Sequence, residues 1–355
     1  MDPVDQACQR YDEAIELHGQ GRLGDAVEAC DEAAGALERE LGDHPDAANV
    51  FNSLSEMLEE QGRYDEAEAR AARSVSMMEA FAGEGGDVAV IRVQSLGRLA
   101  SVHRARGRYG EADRVFRQAL KAAEAELGPE HLEVSSVLNN LAVVYKYWGR
   151  FDDAARLYHR ALGIVEKHFG PGSVETATIY HNLGGLEHAR GNFAAAEAPA
   201  RRALEIREKA LGPEHPTTAA DAAALAGVLD GLDRFDESEP LYRRALEVFE
   251  RTYGPDHYEI AVNLNNVAAV HARRGRRDLA EPLYRRALGI KEKLFGPEHP
   301  DCGVTLHNLA SLLVDAGRPD EGRALALRAL AIFESALEPG HPKIAAARAV
   351  LGRAS

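Results

Sequence analysis

The chain has few cysteines, few aromatic residues and no long hydrophobic run. Its three cysteines, Cys8, Cys30 and Cys302, lie far apart without metal-like spacing, which argues against a disulfide framework and is typical of a reducing compartment. Aromatic residues make up only 6% of the 355 residues, which disfavours a β-rich fold. No apolar run approaches the ~18 residues of a membrane helix, and the N-terminal segment lacks the apolar core of a secretory signal. We therefore expect a soluble, cytoplasmic protein with no membrane partner.

An excess of positive charge is also absent. The formal net charge is −15, from 57 acidic and 42 basic residues. Because phosphate binding requires a basic face, this composition argues against a nucleic-acid partner. The acidity is concentrated in residues 1–87, which carry 22 Asp and Glu against six Arg. Two interpretations remain open for this segment: a solvated cap, or a docking surface for a basic partner, including self-association with another copy of the chain.

Catalytic and metal-binding motifs are missing as well. The sequence contains no phosphate loop, no HExxH, no CxxC and no nucleophile elbow, so we expect no enzymatic activity and no cofactor. Histidine recurs between the predicted helices, at His131, His215, His257, His299 and His341. Successive loops are separated by two packed helices, far more than the ~2 Å of a Zn–N bond, so we expect these histidines to be loop or capping residues rather than metal ligands.

What the sequence does contain is an internal repeat. The turn residues recur as Gly21-Arg22, Gly62-Arg63, Gly107-Arg108, Gly149-Arg150, Gly191-Asn192, Asp233-Arg234, Gly275-Arg276 and Gly317-Arg318. From Gly107 onward the step is 42 residues. Before each turn, apolar residues are spaced as on one helix face, and a second apolar stripe follows it. Five of these second stripes end at Gly-Pro: Gly128-Pro129, Gly170-Pro171, Gly212-Pro213, Gly254-Pro255 and Gly296-Pro297. The pattern predicts eight helix–turn–helix units and one further helix.

The regularity of the repeat also predicts how the chain is divided. We expect two acidic repeats in residues 1–82, an irregular Gly-rich junction at 83–87, six regular repeats in 88–341 and a capping helix in 342–355. The junction is the candidate hinge. Pro199, Pro240 and Pro282 lie about one turn inside second helices, which we expect to be slightly bent or late-starting.

The recurring segments resemble a known family. LNNLA, EPLYRRALEV and LGPEHP, with turns similar to GRYDEA, resemble the tetratricopeptide repeat, and the 42-residue period resembles the kinesin light chain type. The resemblance implies an all-α fold, a right-handed α-solenoid whose first helices line a concave groove. It also implies a non-enzymatic adaptor or scaffold with a protein or peptide ligand. This chain departs from the family pattern at Asp233, which replaces the turn glycine, and at Ala223-Ala224, which replace a pair of asparagines.

Family geometry places particular first-helix positions toward the groove. Asparagine can pair with an extended peptide backbone, and Lys or Arg can bind carboxylates, so we expect an acidic or carboxylate-bearing segment. The residues predicted to bind it are Arg104, Asn139, Lys146, Tyr147, Lys167, His181, His188, Lys209, Arg251, Asn265, Arg273, Lys293 and His307. Alternatively, the asparagines tie helices together and the basic residues are a solvated face. The second Asn of each pair, such as Asn140 or Asn266, is expected to point between helices.

Three other functions stay open at this point. Two of them are a self-assembling structural scaffold, whose oligomers would depend on salt, and the sensing or regulatory subunit of a larger bacterial complex. An enzyme or small-molecule binder would require a deep apolar pocket with convergent polar groups. Groove histidines His181, His188 and His307 offer a means of tuning binding with pH.

Overall fold

The structure is a computed structural model, and it describes residues 2–354. Within this range every regular element is helical. The helices are α1 Pro3–Gly19, α2 Leu23–Leu41, α3 Pro45–Glu60, α4 Tyr64–Met78, α5 Gly86–Ala105, α6 Tyr109–Glu126, α7 Leu132–Tyr147, α8 Phe151–Phe169, α9 Val174–Ala189, α10 Phe193–Leu211, α11 Pro216–Gly231, α12 Phe235–Tyr253, α13 Tyr258–Arg273, α14 Arg277–Phe295, α15 Pro300–Asp315, α16 Pro319–Ala336 and α17 Pro342–Arg353. A 3-10 turn, Glu79–Phe81, follows α4. The predicted all-α repeat fold is confirmed.

The turn inside a repeat is built by a residue in the left-handed conformation, which is glycine in seven of the eight repeats. In the first repeat Gly21 has φ +75°, and its N–H donates to the His18 carbonyl at 2.9 Å. The Arg22 N–H reaches back to the Leu17 carbonyl at 3.0 Å. This pair of bonds satisfies the last carbonyls of the first helix and reverses the chain into the second. Asp233 is the only non-glycine residue with positive φ in the described chain, at 59°.

The arginine after the turn joins neighbouring repeats. Arg234, at the start of α12, donates to Glu237 in the first turn of its own helix at 2.7 Å. It also donates to Glu197 on α10, one repeat earlier, at 2.7 Å. Arg318 repeats both contacts one unit further on, with Glu321 and Glu281. At both turns the arginine therefore joins successive second helices.

The loop histidines cap the first helices. In His131, His215, His257, His299 and His341, ring Nδ1 accepts a hydrogen bond of 3.1 or 3.2 Å from the backbone N–H two residues later. That N–H is one of the four that a helix start leaves without an intrahelical partner. The prediction that these residues are capping residues is confirmed. Among the described residues, no cluster of His, Cys, Asp and Glu could hold a metal ion.

The prolines do not delay the second helices. Helices α10, α12 and α14 contain Pro199, Pro240 and Pro282, yet each begins two residues after the turn position, as proline-free α8 does. The expected late start is therefore wrong, because a proline in the second turn forfeits a hydrogen bond without preventing the first turn. A bend at these prolines stays a prediction.

The chain forms two compact units that divide between Ile164 and Val165, inside α8; we call them unit one and unit two. The core of the acidic repeats in unit one includes Val102 on α5, and Val88 and Ile91 pack against it. Packing thus continues past the predicted junction at 83–87, and the structure divides the chain elsewhere; a hinge at the junction stays a prediction. In unit two, α17 covers the last repeat through Ile344 and Ala347. Over the described range, no helix combines the length and the apolar character needed to cross a bilayer.

Candidate functional site

Each unit has a depression on the surface formed by its successive first helices, which we call the first-helix surface. In unit one, a depression of about 350 Å³ is lined by residues of α3, α5 and α7, among them Asn52, Arg98 and Asn140. In unit two, a cavity of about 370 Å³ is lined mainly by α9, α11 and α13. First helices of three successive repeats therefore contribute to one site in each unit, as the repeat geometry predicts.

The unit-two cavity has apolar walls and polar groups at its edges. The second helices supply Phe193 and Tyr242, and the edge of Phe193 faces the His188 ring at a centroid distance of 5.2 Å. The first helices supply His181, His188, Asp221, Asn266 and Arg273. Three of the residues predicted to bind a peptide, His181, His188 and Arg273, are thus brought together here.

Small residues create this cavity. Its lining includes Gly184 and Gly185 on α9 and Ala223, Ala224 and Gly227 on α11. Gly184 is needed for close helix packing, because an added Cβ would lie 3.2 Å from the Ala200 backbone nitrogen. At Gly227 an added Cβ would lie 3.4 Å from the Tyr242 hydroxyl and 3.7 Å from His188 Nε2. The departure from the paired asparagines at Ala223-Ala224 therefore coincides with open space.

A buried ion pair holds one edge of the cavity. Arg207 donates to Asp221 Oδ1 at 2.7 Å, and both side chains are almost completely buried. His181 Nδ1 lies 2.7 Å from the same oxygen. Because an ionised carboxylate only accepts, Nδ1 donates this hydrogen bond. Asp221 Oδ2 has no hydrogen-bond partner, so this edge keeps unused accepting capacity.

Arg273, which also lines the cavity, is tied to a buried carboxylate. Its guanidinium pairs with Asp230, while its side chain remains 55% exposed. Burial raises the pKa of Asp230, and the charge of Arg273 opposes that rise. Arg273 can therefore present unused N–H donors to a ligand while it compensates Asp230.

Unit one places Arg104, Lys146 and Tyr147 near one another. Arg104 Nη2 lies 3.5 Å from Glu59 Oε1. The Lys146 ammonium lies 5.1 Å from the centre of the Tyr147 ring, and Tyr147 is 55% exposed. Burial, and secondly the charge of Arg104, lower the pKa of Lys146. These three predicted residues form a cationic and aromatic surface.

In two of the Asn pairs, the exposed residue is the second Asn and not the first, one position later than expected. Asn139 and Asn265 are half-buried, and Asn265 accepts from Asn308 of the next repeat at 3.3 Å. Asn140 and Asn266 are exposed and line the two depressions, although we expected the second Asn to point between helices. Neighbouring helix positions differ by about 100°, so a small rotation of the stacked helices decides which of the two is exposed.

The remaining predicted residues lie outside the unit-two cavity. Lys167, Lys209, Arg251 and Lys293 are exposed near the ends of second helices. Arg251 pairs with Glu214 and Lys293 with Asp256, so these two join neighbouring repeats. His307 is half-buried, burial lowers its pKa, and its Nδ1 has no hydrogen-bond partner. Phe193, Asp221 and Tyr242 were not predicted as site residues. The sequence feature that pointed to this cavity was the replacement of two asparagines by the smaller Ala223 and Ala224, which line it with them.

Comparison with known proteins agrees with this repeat architecture. Models described as tetratricopeptide repeat match residues 14–80, 91–167, 219–293, 259–321 and 301–354, and a second such model matches 176–217. No curated protein matches the sequence.

Solved structures share the fold at low sequence identity. A Rap protein complexed with Competence and Sporulation Factor is similar with a TM-score of 0.58 and 13% identity over 99% of this chain and 98% of that one. The apo form of the quorum sensor NprR from B. thuringiensis is similar with a TM-score of 0.60 and 12% identity, over 94% of this chain and 88% of that one. A Podosopora anserina protein described as a kinesin light chain with nearly identical TPR-like repeats gives a TM-score of 0.47 and 22% identity, over 57% and 95% of the two chains. Since the family models together match most of the chain, this protein belongs to the tetratricopeptide repeat family.

Proposed function

We propose that this protein is a non-enzymatic adaptor that binds an acidic or carboxylate-bearing segment of another protein on its first-helix surface. The observation that carries the proposal is the unit-two cavity, in which three successive repeats combine apolar walls with polar edges. Cavities of this composition are typical of binding sites, since apolar contacts supply affinity and a few polar groups fix orientation. Tetratricopeptide repeats typically serve as interaction scaffolds, which agrees with this function.

The size of the unit-two cavity favours an apolar side chain as the anchor of the ligand. Its volume is about 370 Å³. An engineered protein cavity of roughly 150 Å³ holds benzene, so this one has room for a large side chain together with part of the adjoining backbone. His181, Asn266 and Arg273 at the edges offer both acceptors and donors to that backbone.

The preference for acidic segments rests on Arg273 in unit two and on Arg104 and Lys146 in unit one. Each presents a cation on the first-helix surface. The Rap protein with Competence and Sporulation Factor bound shows that a chain of this fold can hold a ligand, and this supports the proposal. The three cysteines are free, and Cys30 and Cys302 are buried, which supports a reducing, cytoplasmic location.

The proposal can be tested by filling the cavity. Peptides are first selected from a random display library on the purified chain. Gly227→Val should weaken the selected peptide at least about tenfold, because the added methyl groups occupy the space beside Tyr242 and His188. The affinity is measured by fluorescence anisotropy, and thermal melting checks that the variant is folded.

The matched control is Gly289→Val, because Gly289 lies on the exposed face of α14 with no atom within 4 Å of an added Cβ. It should leave the affinity unchanged. If a folded Gly227→Val variant binds as tightly as the parent chain, the unit-two cavity is not the binding site. Oligomers whose mass in light scattering falls with added salt would favour the self-assembling scaffold instead.

A further inference from the structure

We propose that the groove between α4 and α6 in unit one is a second docking surface, and that its occupant is an amphipathic α-helix of a partner protein with acidic residues along one edge. The groove lies between second helices, so it is separate from the first-helix surface and goes beyond the proposed adaptor function. The argument starts from a salt bridge that joins successive second helices elsewhere in each unit and is missing between α4 and α6.

An arginine in the middle of a second helix joins it to the second helix of the preceding repeat. Within each unit, this arginine lies 2.6 or 2.7 Å from a glutamate near the end of that preceding helix. The pairs are Arg73–Glu38, Arg160–Glu124, Arg244–Glu208, Arg286–Glu250 and Arg328–Glu292. A charged pair therefore bridges the space between these second helices.

The bridge is absent between α4 and α6. Gln118 occupies the arginine position on α6, whereas the glutamate is kept as Glu79, directly after α4. Both residues line a groove of about 520 Å³, to which α5 contributes Leu96 and Leu99. Within the described range, Glu79 has no ion-pair partner. The groove is thus left open at a place where the other pairs of second helices are bridged.

The lining of the groove combines apolar side chains with two cations on one side. Val75 of α4 and Val115 of α6 add apolar surface to that of the two leucines. Arg114 and Lys121 also line the groove, about one helical turn to either side of Gln118. Both cations are exposed, and neither has an ion-pair partner in the part of the chain that the structure describes. A complementary occupant presents acidic residues to α6 and apolar residues to the bottom of the groove.

A helix fits this groove better than an extended segment. An extended backbone needs partners for its N–H and C=O groups, and the helices that form the walls offer no strand edge. A helix satisfies its own backbone groups and can lay an apolar face into a groove. Since ~150 Å³ holds benzene, the groove has room for about three large side chains.

The spacing of the two cations sets the charge pattern of the partner helix. Arg114 and Lys121 are seven residues apart, which is about 10.5 Å along α6 and equals the distance between positions i and i+7 of a second helix beside it. The matching partner therefore carries two acidic residues seven apart on one edge. On its other edge, a basic residue can pair with Glu79, as the bridging arginine does in the other repeats.

The probe for the test is a hydrocarbon-stapled peptide helix with leucines on one face and two glutamates seven residues apart on one edge. Gln118→Arg introduces the residue that bridges the other second helices. It should weaken the peptide at least about tenfold, because the new guanidinium can pair with Glu79 across the groove. Fluorescence anisotropy measures the affinity, and thermal melting checks the fold. Gln9→Arg, on the exposed face of α1, is the matched control and should leave the affinity unchanged.

An exchange of charges tests the acidic edge of the partner. A peptide with both glutamates replaced by lysine should bind the parent chain at least about tenfold more weakly, because it places like charges beside Arg114 and Lys121. The net charge of −15 attracts the lysine peptide, so a preference for glutamate reports on the groove and not on the whole chain. The double variant Arg114→Glu with Lys121→Glu should prefer the lysine peptide.

Three results would overturn the proposal. A folded Gln118→Arg variant that binds the stapled helix as tightly as the parent chain excludes the groove as the site. Equal affinity for the glutamate and lysine peptides contradicts the acidic edge. Dimers in analytical ultracentrifugation that Gln118→Arg abolishes would make a second copy of the chain the occupant, in place of a partner protein. Gly227→Val should change none of these affinities, so this surface and the unit-two cavity can fail separately.

Discussion

Single residues show where the repeat is strained and where it is adapted. Asp233 holds a left-handed conformation that glycine holds at the equivalent turns, including Gly191 and Gly275. A side chain at such a position carries a steric cost, although Asp tolerates it better than most residues. Gly227, in contrast, has ordinary helical geometry, and its missing side chain leaves space for the cavity. The left-handed turn position of Asp233 could be predicted from the 42-residue spacing alone. The space beside Gly227 could be recognised only from the packing of the neighbouring helices.

Asp233→Gly should therefore stabilise the protein by roughly 0.5–1 kcal/mol, because it removes the left-handed strain from an exposed residue. Chemical denaturation measures the change in the free energy of unfolding. The reverse substitution at the next turn, Gly275→Ala, should destabilise the protein by a similar amount, since Gly275 has φ +70°. A destabilising Asp233→Gly would contradict this explanation of the turn.

At the scale of the element, each repeat uses local signals for its boundaries and distant residues for its packing. The histidine caps, the Gly-Arg turns and the Gly-Pro stops lie within a few residues of the helix ends that they define, so the sequence predicted these ends well. The direction of Asn139 and Asn140 was predicted less well. Helix phase relative to the neighbouring repeat decides it, and the relevant contacts lie some 40 residues away in sequence.

The capping histidines should make the first helices sensitive to acid. The cap requires a neutral Nδ1, and burial, followed by the charge of Lys343, lowers the pKa of His341 to about 4. The pKa is lower in the folded than in the unfolded chain, so this contribution to stability is complete above about pH 6.5 and is lost as the pH falls toward 4. After allowance for solvent screening, the loss should be on the order of 1–2 kcal/mol.

His341→Asn keeps a capping side chain that does not titrate, so it should reduce the acid-induced loosening of α17. Hydrogen exchange of the α17 amides between pH 7 and 4.5, corrected for intrinsic rates, measures this. His159→Asn, on the exposed face of α8, is the matched control and should leave the pH dependence unchanged. If both variants loosen equally with acid, the cap at His341 is not the cause.

At the scale of the whole molecule, charge is unevenly distributed along the chain. The net charge of −15 is concentrated in the first two repeats, whereas the cations proposed to bind ligand, Arg104, Lys146 and Arg273, lie in later ones. An acidic ligand would be repelled by the first region and attracted by the second, and both effects are screened by salt. The sign of the ligand's charge is therefore measurable through ionic strength.

Charge reversal by Lys146→Glu and Arg273→Glu should weaken the selected peptide, and by more at low salt than at high salt, because screening reduces the lost attraction. Anisotropy titrations at 50 and 500 mM NaCl measure this. Lys146→Glu is the more direct variant, since Arg273→Glu also leaves buried Asp230 without its partner. Reversing exposed Arg323 on α16, which is not among the predicted binding residues, provides the control. Equal affinities at both salt concentrations would contradict the preference for acidic segments.

The sequence by itself determined the family, the helix boundaries, the turns and the caps, because each depends on residues close together in the chain and recurs along it. Only the tertiary structure decided which first-helix residues are open to a ligand. The cavity in unit two exists because Gly184 lets α9 approach Ala200 closely while Ala223 and Gly227 leave space opposite. Likewise, the pairing of Arg273 with buried Asp230 of the preceding repeat depends on packing between repeats, which sets the distance between the two charged groups.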